Sequence, residues 1–247
     1  MGATAVGSAY LSVKLRSREE IAEGTMAFRF EIPVNWTFKP GQSIDMTVLD
    51  PPETDVEGNT RSFTIASAPH EDALMIATRM RDTAFKRTLK TLPIGSVARI
   101  EGPFGSLTLH HNAARAAVLI AGGIGITPFR SMAVQAAREK LPHRIFLFFS
   151  NRRPEDAPFL GELQSLEKQN PNYKLLATMT QMEKSSRAWQ GERGFINGEM
   201  LSKYLKTAAS PIYYIAGPPG MVSGLRNVLG QTGVDEDDVR TEEFSGY

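Results

Sequence analysis

The stretch Ala117-Val118-Leu119-Ile120-Ala121-Gly122-Gly123-Ile124-Gly125-Ile126-Thr127-Pro128-Phe129-Arg130 restricts the fold more than any other part of the chain. Its apolar start reads as a buried parallel strand. The glycines that follow allow a sharp turn and a close approach to the backbone. Pro128, with no N–H and a fixed φ, suits the first turn of a helix. Strand, turn and helix start together gather backbone amides into an anion site, for which a dinucleotide diphosphate is the usual occupant. Pro128 stands where the G-x-G-x-x-G fingerprint has its third glycine, so the fingerprint is incomplete and a purely structural turn stays open.

The hydrophobic period differs on the two sides of this stretch. Before it, short segments alternate at period two: 10–16, 26–32, 43–49, 61–67, 74–80 and 97–105. One helical period lies between Thr83 and Leu92, and residues 50–60, with Pro51, Pro52 and Gly58, read as a long exposed loop. This pattern predicts an all-β antiparallel six-stranded barrel with a capping helix over residues 1–110. After His110, apolar strands at 118–120, 145–149, 174–179 and 212–215 alternate with helices at 128–139, 159–169, 198–205 and 220–229. That alternation predicts an α/β parallel-sheet nucleotide-binding domain over residues 111–247. The acidic run Asp235-Glu236-Asp237-Asp238 reads as a solvated turn before a last short strand.

Composition removes several kinds of chemistry. With 28 basic and 27 acidic residues the formal charge is +1, so no global field draws nucleic acid or a membrane surface. The absence of cysteine excludes thiol nucleophiles, thiolate zinc and cysteine-ligated iron–sulfur clusters within this sequence. The N-terminus shows neither a basic n-region nor an apolar signal core, no run approaches the length of a membrane span, and a cytoplasmic location is expected. The four histidines, at 70, 110, 111 and 143, read as solvated or structural, and no metal site is expected.

Arg61-Ser62-Phe63-Thr64 combines a bidentate cation, an aromatic face and a hydroxyl at the end of a strand. Plain alternation, with Phe63 in a barrel core and Arg61 solvated, is the competing reading. The order Lys39-Pro40-Gly41-Gln42, Arg61 to Thr64, Glu101-Gly102-Pro103-Phe104-Gly105, Gly122 to Pro128, Ala216-Gly217-Pro218-Pro219-Gly220-Met221 and Glu242 to Tyr247 resembles the ferredoxin–NADP reductase family across nearly the whole chain.

The resemblance implies an FAD held by the barrel. Arg61 would bind its diphosphate, Phe63 (where tyrosine is commoner) would stack on the isoalloxazine, and Thr64 would bond near N5, with Ser62 beside them. Thr78, Arg79 and Met80 match the second flavin-contacting strand. Ala84, Phe85 and Lys86, after Thr83, match the helix start facing the diphosphate, although the family's usual serine is missing there. Phe244 and then Tyr247 are expected to reach the flavin from the C-terminal segment. Glu243 is the candidate proton donor near N5, with a plain solvated carboxylate as the competing reading. Gly122, Gly123, Gly125, Thr127, Pro128, Gly217 and Pro218 would receive a nicotinamide nucleotide. Ala216 replaces a cysteine found in many relatives, so no thiol assists hydride transfer.

Nucleotide choice rests on Phe149-Ser150-Asn151-Arg152-Arg153, where an NAD-preferring site usually has a carboxylate. Ser150, Arg152 and Arg153 together favour the 2′-phosphate of NADP(H) over NAD(H). Trp189 either borders the adenine half of the pocket or anchors its loop. The expected activity is an FAD-dependent transfer of hydride from NAD(P)H and of electrons to an external acceptor, with ferredoxin or flavodoxin foremost. Both partners are acidic, and Arg79, Lys86, Arg87 and Lys90 are candidates for a basic docking rim. The alternatives are a reductase component of an oxygenase, a diaphorase-type flavin or quinone reductase, and a nucleotide-binding regulatory module without turnover.

Overall fold

A computed structural model describes residues 10–244. The first half forms β1 (Leu11–Ala22), β2 (Thr25–Phe30), β3 (Ser43–Val48), β4 (Thr60–Thr64), β5 (Leu74–Arg79), α1 (Ala84–Thr91) and β6 (Val97–Phe104). These strands are antiparallel in the order β4-β3-β6-β1-β2-β5. A backbone bond from the Ala66 amide to the Met75 carbonyl (2.8 Å) joins the chain just past β4 to β5, drawing the two end strands together. Period-two alternation turns Val13, Leu15, Phe28, Phe30, Ile44 and Met46 inward, and Phe85 and Leu89 of α1 close the core. β1 runs well past the alternating segment at 10–16, because its charged outer half still pairs with β2 across the Gly24 turn (φ +64°).

The second half contains β7 (Ala117–Gly122), α2 (Thr127–Glu139), β8 (Ile145–Asn151), α3 (Leu160–Gln169) and β9 (Tyr173–Met179). β10 (Glu192–Arg193), α4 (Gly198–Tyr204), β11 (Ile212–Gly217), α5 (Pro219–Gln231) and β12 (Val239–Glu243) complete it. All six strands are parallel, in the order β10-β9-β8-β7-β11-β12. β7 and β11 are buried along their full length, with α2 and α3 covering one face and α4 and α5 the other. β10 is too short and polar to leave a periodic signal. The chain leaves β7 in one direction through β8, β9 and β10, then returns to pair β11 on its other side. That reversal puts the glycine ends of β7 and β11 together, where open α/β sheets bind ligands.

The two halves meet along a seam centred on Arg130, whose side chain is 5% exposed. Its guanidinium donates to the Ala66 carbonyl (2.8 Å) and both Glu71 oxygens of the barrel side, and also to Glu162 of α3 (2.6 and 2.8 Å). The Phe159 ring centroid lies 5.0 Å from the same guanidinium. Ser131 Oγ donates to the Ser67 carbonyl at 2.7 Å. At the rim, Arg153 pairs with Glu23 (2.8 Å), and the Glu23 amide donates to the Glu155 carbonyl (2.9 Å). No helix among the described residues is long and apolar enough to cross a membrane.

Candidate functional site

On β4, alternation sends Arg61 and Phe63 to one side and Ser62 and Thr64 to the other. Arg61 lies over the Phe85 ring, 5.2 Å from its centroid, and the Phe63 and Phe85 centroids are 5.8 Å apart. Phe63 belongs to the barrel core, and Ser62 is exposed. Thr64, 4% exposed, donates from Oγ1 to Glu242 Oε1 of β12 at 2.9 Å, across the seam. Burial pushes the Glu242 carboxyl above the usual carboxylate range, against the pull of the Thr64 bond. The carboxylate facing Thr64 is therefore Glu242. The expected Glu243 is exposed and lines a different surface pocket with Ser223 and Arg226.

Thr83 caps α1, accepting the Lys86 amide (3.4 Å). Lys86 Nζ donates to the Arg79 carbonyl (2.7 Å). Burial, then the nearby charges of Arg81, Arg61 and Arg79, holds Lys86 below the usual ammonium range. Arg79 Nε is buried with no partner among the described residues. Thr78, Ala84 and Phe85 are buried, and Met80 is half-buried against the barrel core. Four cations thus converge near the start of a helix that has no acidic residue in its first turn. One of them has an unused donor. This donor set fits the diphosphate of a flavin dinucleotide.

The switch point opens as a cavity of about 660 Å³. Of the expected nucleotide residues, Gly122, Gly123, Ser150, Arg152 and Pro218 line it, and Arg79 enters from the barrel. Gly123 has φ +52°, a left-handed turn that favours glycine. Gly125 sits behind that turn, where a Cβ would come within 2.2 Å of the Ala216 carbonyl oxygen. Thr127 and Pro128 are buried at the head of α2, with Thr127 Oγ1 donating to the Ile124 carbonyl (3.1 Å). The Met221 side chain packs over both Gly122 and Gly217.

Arg153 does not join Arg152. It holds Asp156 with two bonds (2.8 and 2.9 Å) and reaches Glu23 at the seam, because a 3-10 turn after β8 sends the adjacent arginines apart. Residues that sequence reasoning passed over as nucleotide contacts also line the cavity: Asn151, Thr180, Gln181 and Met221, while Phe195 and Ile196 bring the end of the Trp189 loop to it. Thr180 and Gln181 follow the end of β9 at the same edge where Ser150 and Asn151 finish β8, so the strand-end rule alone could have found them. The volume is in the range of small-molecule and cofactor sites.

The Phe244 amide donates to the Gly217 carbonyl (3.0 Å), and its side chain packs on the apolar cluster of the parallel-sheet half, away from the barrel core. Tyr247 lies outside the described residues. Trp189 donates from Nε1 to the Glu192 carbonyl (2.8 Å) and packs under its own loop, as an anchor does. His110 bonds to Tyr214 and the Arg115 carbonyl, and His143 to the His110 carbonyl, so both are structural. No cluster suited to a metal ion occurs among the described residues. On α1, Arg87 is paired with Glu53 and Asp82, which removes much of the charge expected of a basic rim.

Residues 12–109 match the family described as the oxidoreductase FAD-binding domain, and residues 119–227 match the oxidoreductase NAD-binding domain. The chain belongs to the ferredoxin–NADP reductase-like family of flavoprotein oxidoreductases. It is 27% identical over 223 residues to the glycine betaine monooxygenase reductase subunit of Chromohalobacter salexigens, covering 89% of this chain and 60% of that protein. It is also 27% identical to ferredoxin–NADP reductase B of Sorangium cellulosum, over 84% of this chain and 85% of that one. A ferredoxin–NADP+ reductase structure from Neisseria gonorrhoeae, with bound FAD and NADP, superposes with a TM-score of 0.77 over 95% of this chain and 98% of that one. At 19% identity that likeness is one of fold. Three further curated relatives are spanned over only 38% to 51% of their length.

Proposed function

We propose that this family member takes hydride from NADPH, in preference to NADH, onto FAD held by the barrel, and passes electrons one at a time to ferredoxin or flavodoxin. The observation that carries the reading is the Thr64–Glu242 bond, 2.9 Å across the seam. It sets the end of the barrel motif against the strand paired with β11, where Glu242 lies opposite Ala216, the residue before Gly217. A bound flavin supplies the redox chemistry, accepting hydride and releasing single electrons. The chain's own residues then have three tasks.

Arg61, Lys86 and the head of α1 bind and orient the diphosphate. Thr64 fixes the position of Glu242, whose carboxyl burial pushes above the usual carboxylate range, so that it is placed to exchange a proton at the seam. Ser150 and Arg152 hold a 2′-phosphate. The cavity lining, with two arginines and no carboxylate, supports that preference. FAD rather than FMN is supported by the family match and by the diphosphate-sized set of cations.

The acceptor follows from chemistry more than from the surface. Two relatives are named as a ferredoxin reductase and an oxygenase reductase subunit, and each names a protein acceptor or partner of its own. The pairing of Arg87 with Glu53 and Asp82 leaves less positive charge for an acidic carrier, which favours an oxygenase component as the second reading.

Anaerobic stopped-flow reduction tests the core of this. A bound yellow chromophore should bleach, and faster with NADPH than with NADH. Failure to bleach with either nucleotide leaves only a regulatory nucleotide-binding module. Reduction of cytochrome c coupled through added ferredoxin, compared with dyes alone, tests the acceptor.

A further inference from the structure

The loop between β3 and β4 places its carboxylates where the proposed flavin diphosphate would sit. Asp55 Oδ1 accepts from Arg61 Nη2 (3.0 Å) and from the Glu57 amide (3.1 Å), and Asp55 also accepts from the Ala84 amide, the first of α1. Glu57 Oε2 lies 2.9 Å from the same Arg61 nitrogen. The other end of the guanidinium, Nη1, donates to the carbonyls of Glu57, Gly58 and Thr60 at 2.8 to 3.0 Å. Two bonds donated by Arg87 to the Glu53 carboxylate (2.5 and 2.8 Å) fasten the start of the loop to α1. Two carboxylates therefore occupy the cation and helix-start donors that suit the two charges of a diphosphate.

We propose that Asp55, aided by Glu57, is an internal occupant of this anion cradle, and that flavin loads by displacing the β3–β4 loop from Arg61 and the head of α1. The inference rests on the flavin-binding role argued above. Its physical basis is substitution: each donor released by a carboxylate is taken by a phosphate oxygen, so the cradle is never left with unbalanced charge. The closed loop lowers apparent flavin affinity by the fraction of molecules that are open. Loading also turns a latched segment into a released one. Val56, fully exposed at the loop tip, makes no core contact that would resist this movement.

The test titrates FAD, FMN and riboflavin into apoprotein of the wild type and of Asp55→Asn/Glu57→Gln, following flavin fluorescence. In parallel, a Glu-specific protease cuts the wild-type loop at Glu53 and Glu57 with and without FAD. The proposal expects about tenfold tighter FAD in the double variant, tighter FMN, unchanged riboflavin, and faster loop cleavage of the wild type once FAD is added. Circular dichroism confirms that the variant is folded. FAD binding by the wild type that is equal or tighter than by the variant, or a loop equally resistant with FAD, overturns the proposal and leaves the flavin reading standing. Absence of flavin binding in both proteins overturns both.

Discussion

The two anion cradles on either side of the seam are made differently. The barrel cradle is built from side chains, Arg61, Arg79 and Lys86, and the chain's own Asp55 and Glu57 are seated in it. The parallel-sheet cradle is built from backbone and missing side chains, and it stands open as a cavity of about 660 Å³. A cradle of side chains attracts by charge and can be filled by any carboxylate that reaches it. A cradle of glycine turns selects by closeness, and its parts cannot change without disturbing the fold. Substitutions in the first should therefore change binding at little cost in stability, and substitutions at the glycines of the second should do the reverse.

Gly125→Ala gives the largest expected effect. Its Cβ would meet the Ala216 carbonyl oxygen at 2.2 Å, with Gly217 Cα at 2.8 Å, so backbone must shift on both glycine ends. A loss of about 3 kcal/mol is expected from such overpacking, read by chemical denaturation. A variant as stable as wild type would mean that the turn is not a rigid part of the sheet. Arg61→Ala should behave oppositely. It loses a charged hydrogen-bonding partner of the diphosphate, worth about 2 kcal/mol, so FAD should bind about thirtyfold more weakly. Its melting temperature should stay within a few degrees of wild type, because the guanidinium bonds mainly to its own loop. A collapse in stability instead would make Arg61 a structural clamp.

Arg152→Ala sharpens the comparison on the open side. It should cut kcat/KM for NADPH by about tenfold, the loss of one charged phosphate contact, and leave NADH within twofold. Equal losses with both nucleotides would place Arg152 on a group they share. The smallest effect is expected at the seam between the cradles. Burial raises the Glu242 pKa in the folded protein, so its contribution to stability is full below the unfolded carboxylate pKa and is lost as pH rises through the folded value. Glu242→Gln lacks this titration. Its melting temperature should match wild type in acid and exceed it progressively from about pH 4.5 toward neutrality. Parallel melting curves across that range would show that Glu242 is solvated.

Most of the scaffold was legible because burial writes a period into the sequence. β7, buried throughout, appears as an unbroken apolar run, and β3 alternates with its pleat. The glycine turn was legible from chemistry that few other residues can perform. The site was legible in outline only. Thr241-Glu242-Glu243 offers no apolar alternation to fix which glutamate faces the barrel. That phase is set by the parallel register with β11, which pairs Glu242 with Ala216. Arg152 and Arg153 are adjacent in sequence, yet one enters the cavity and the other turns to Asp156 and Glu23. Asp156, three residues on, was the available clue. Phe244 shows the same limit from the other side, since an aromatic near a terminus does not reveal which of two hydrophobic clusters will take it.

The bonds made by Arg130 have a mechanical consequence. One buried guanidinium is joined at once to the barrel side through Ala66 and Glu71 and to the nucleotide side through Glu162. With the Ser131–Ser67, Arg153–Glu23 and Thr64–Glu242 bonds, this side chain pins the nucleotide half to the barrel side at several points, as bolts hold two plates at one spacing. A joint fastened at several points resists opening as a whole, so a ligand entering between the halves is expected to need movements of loops and side chains only.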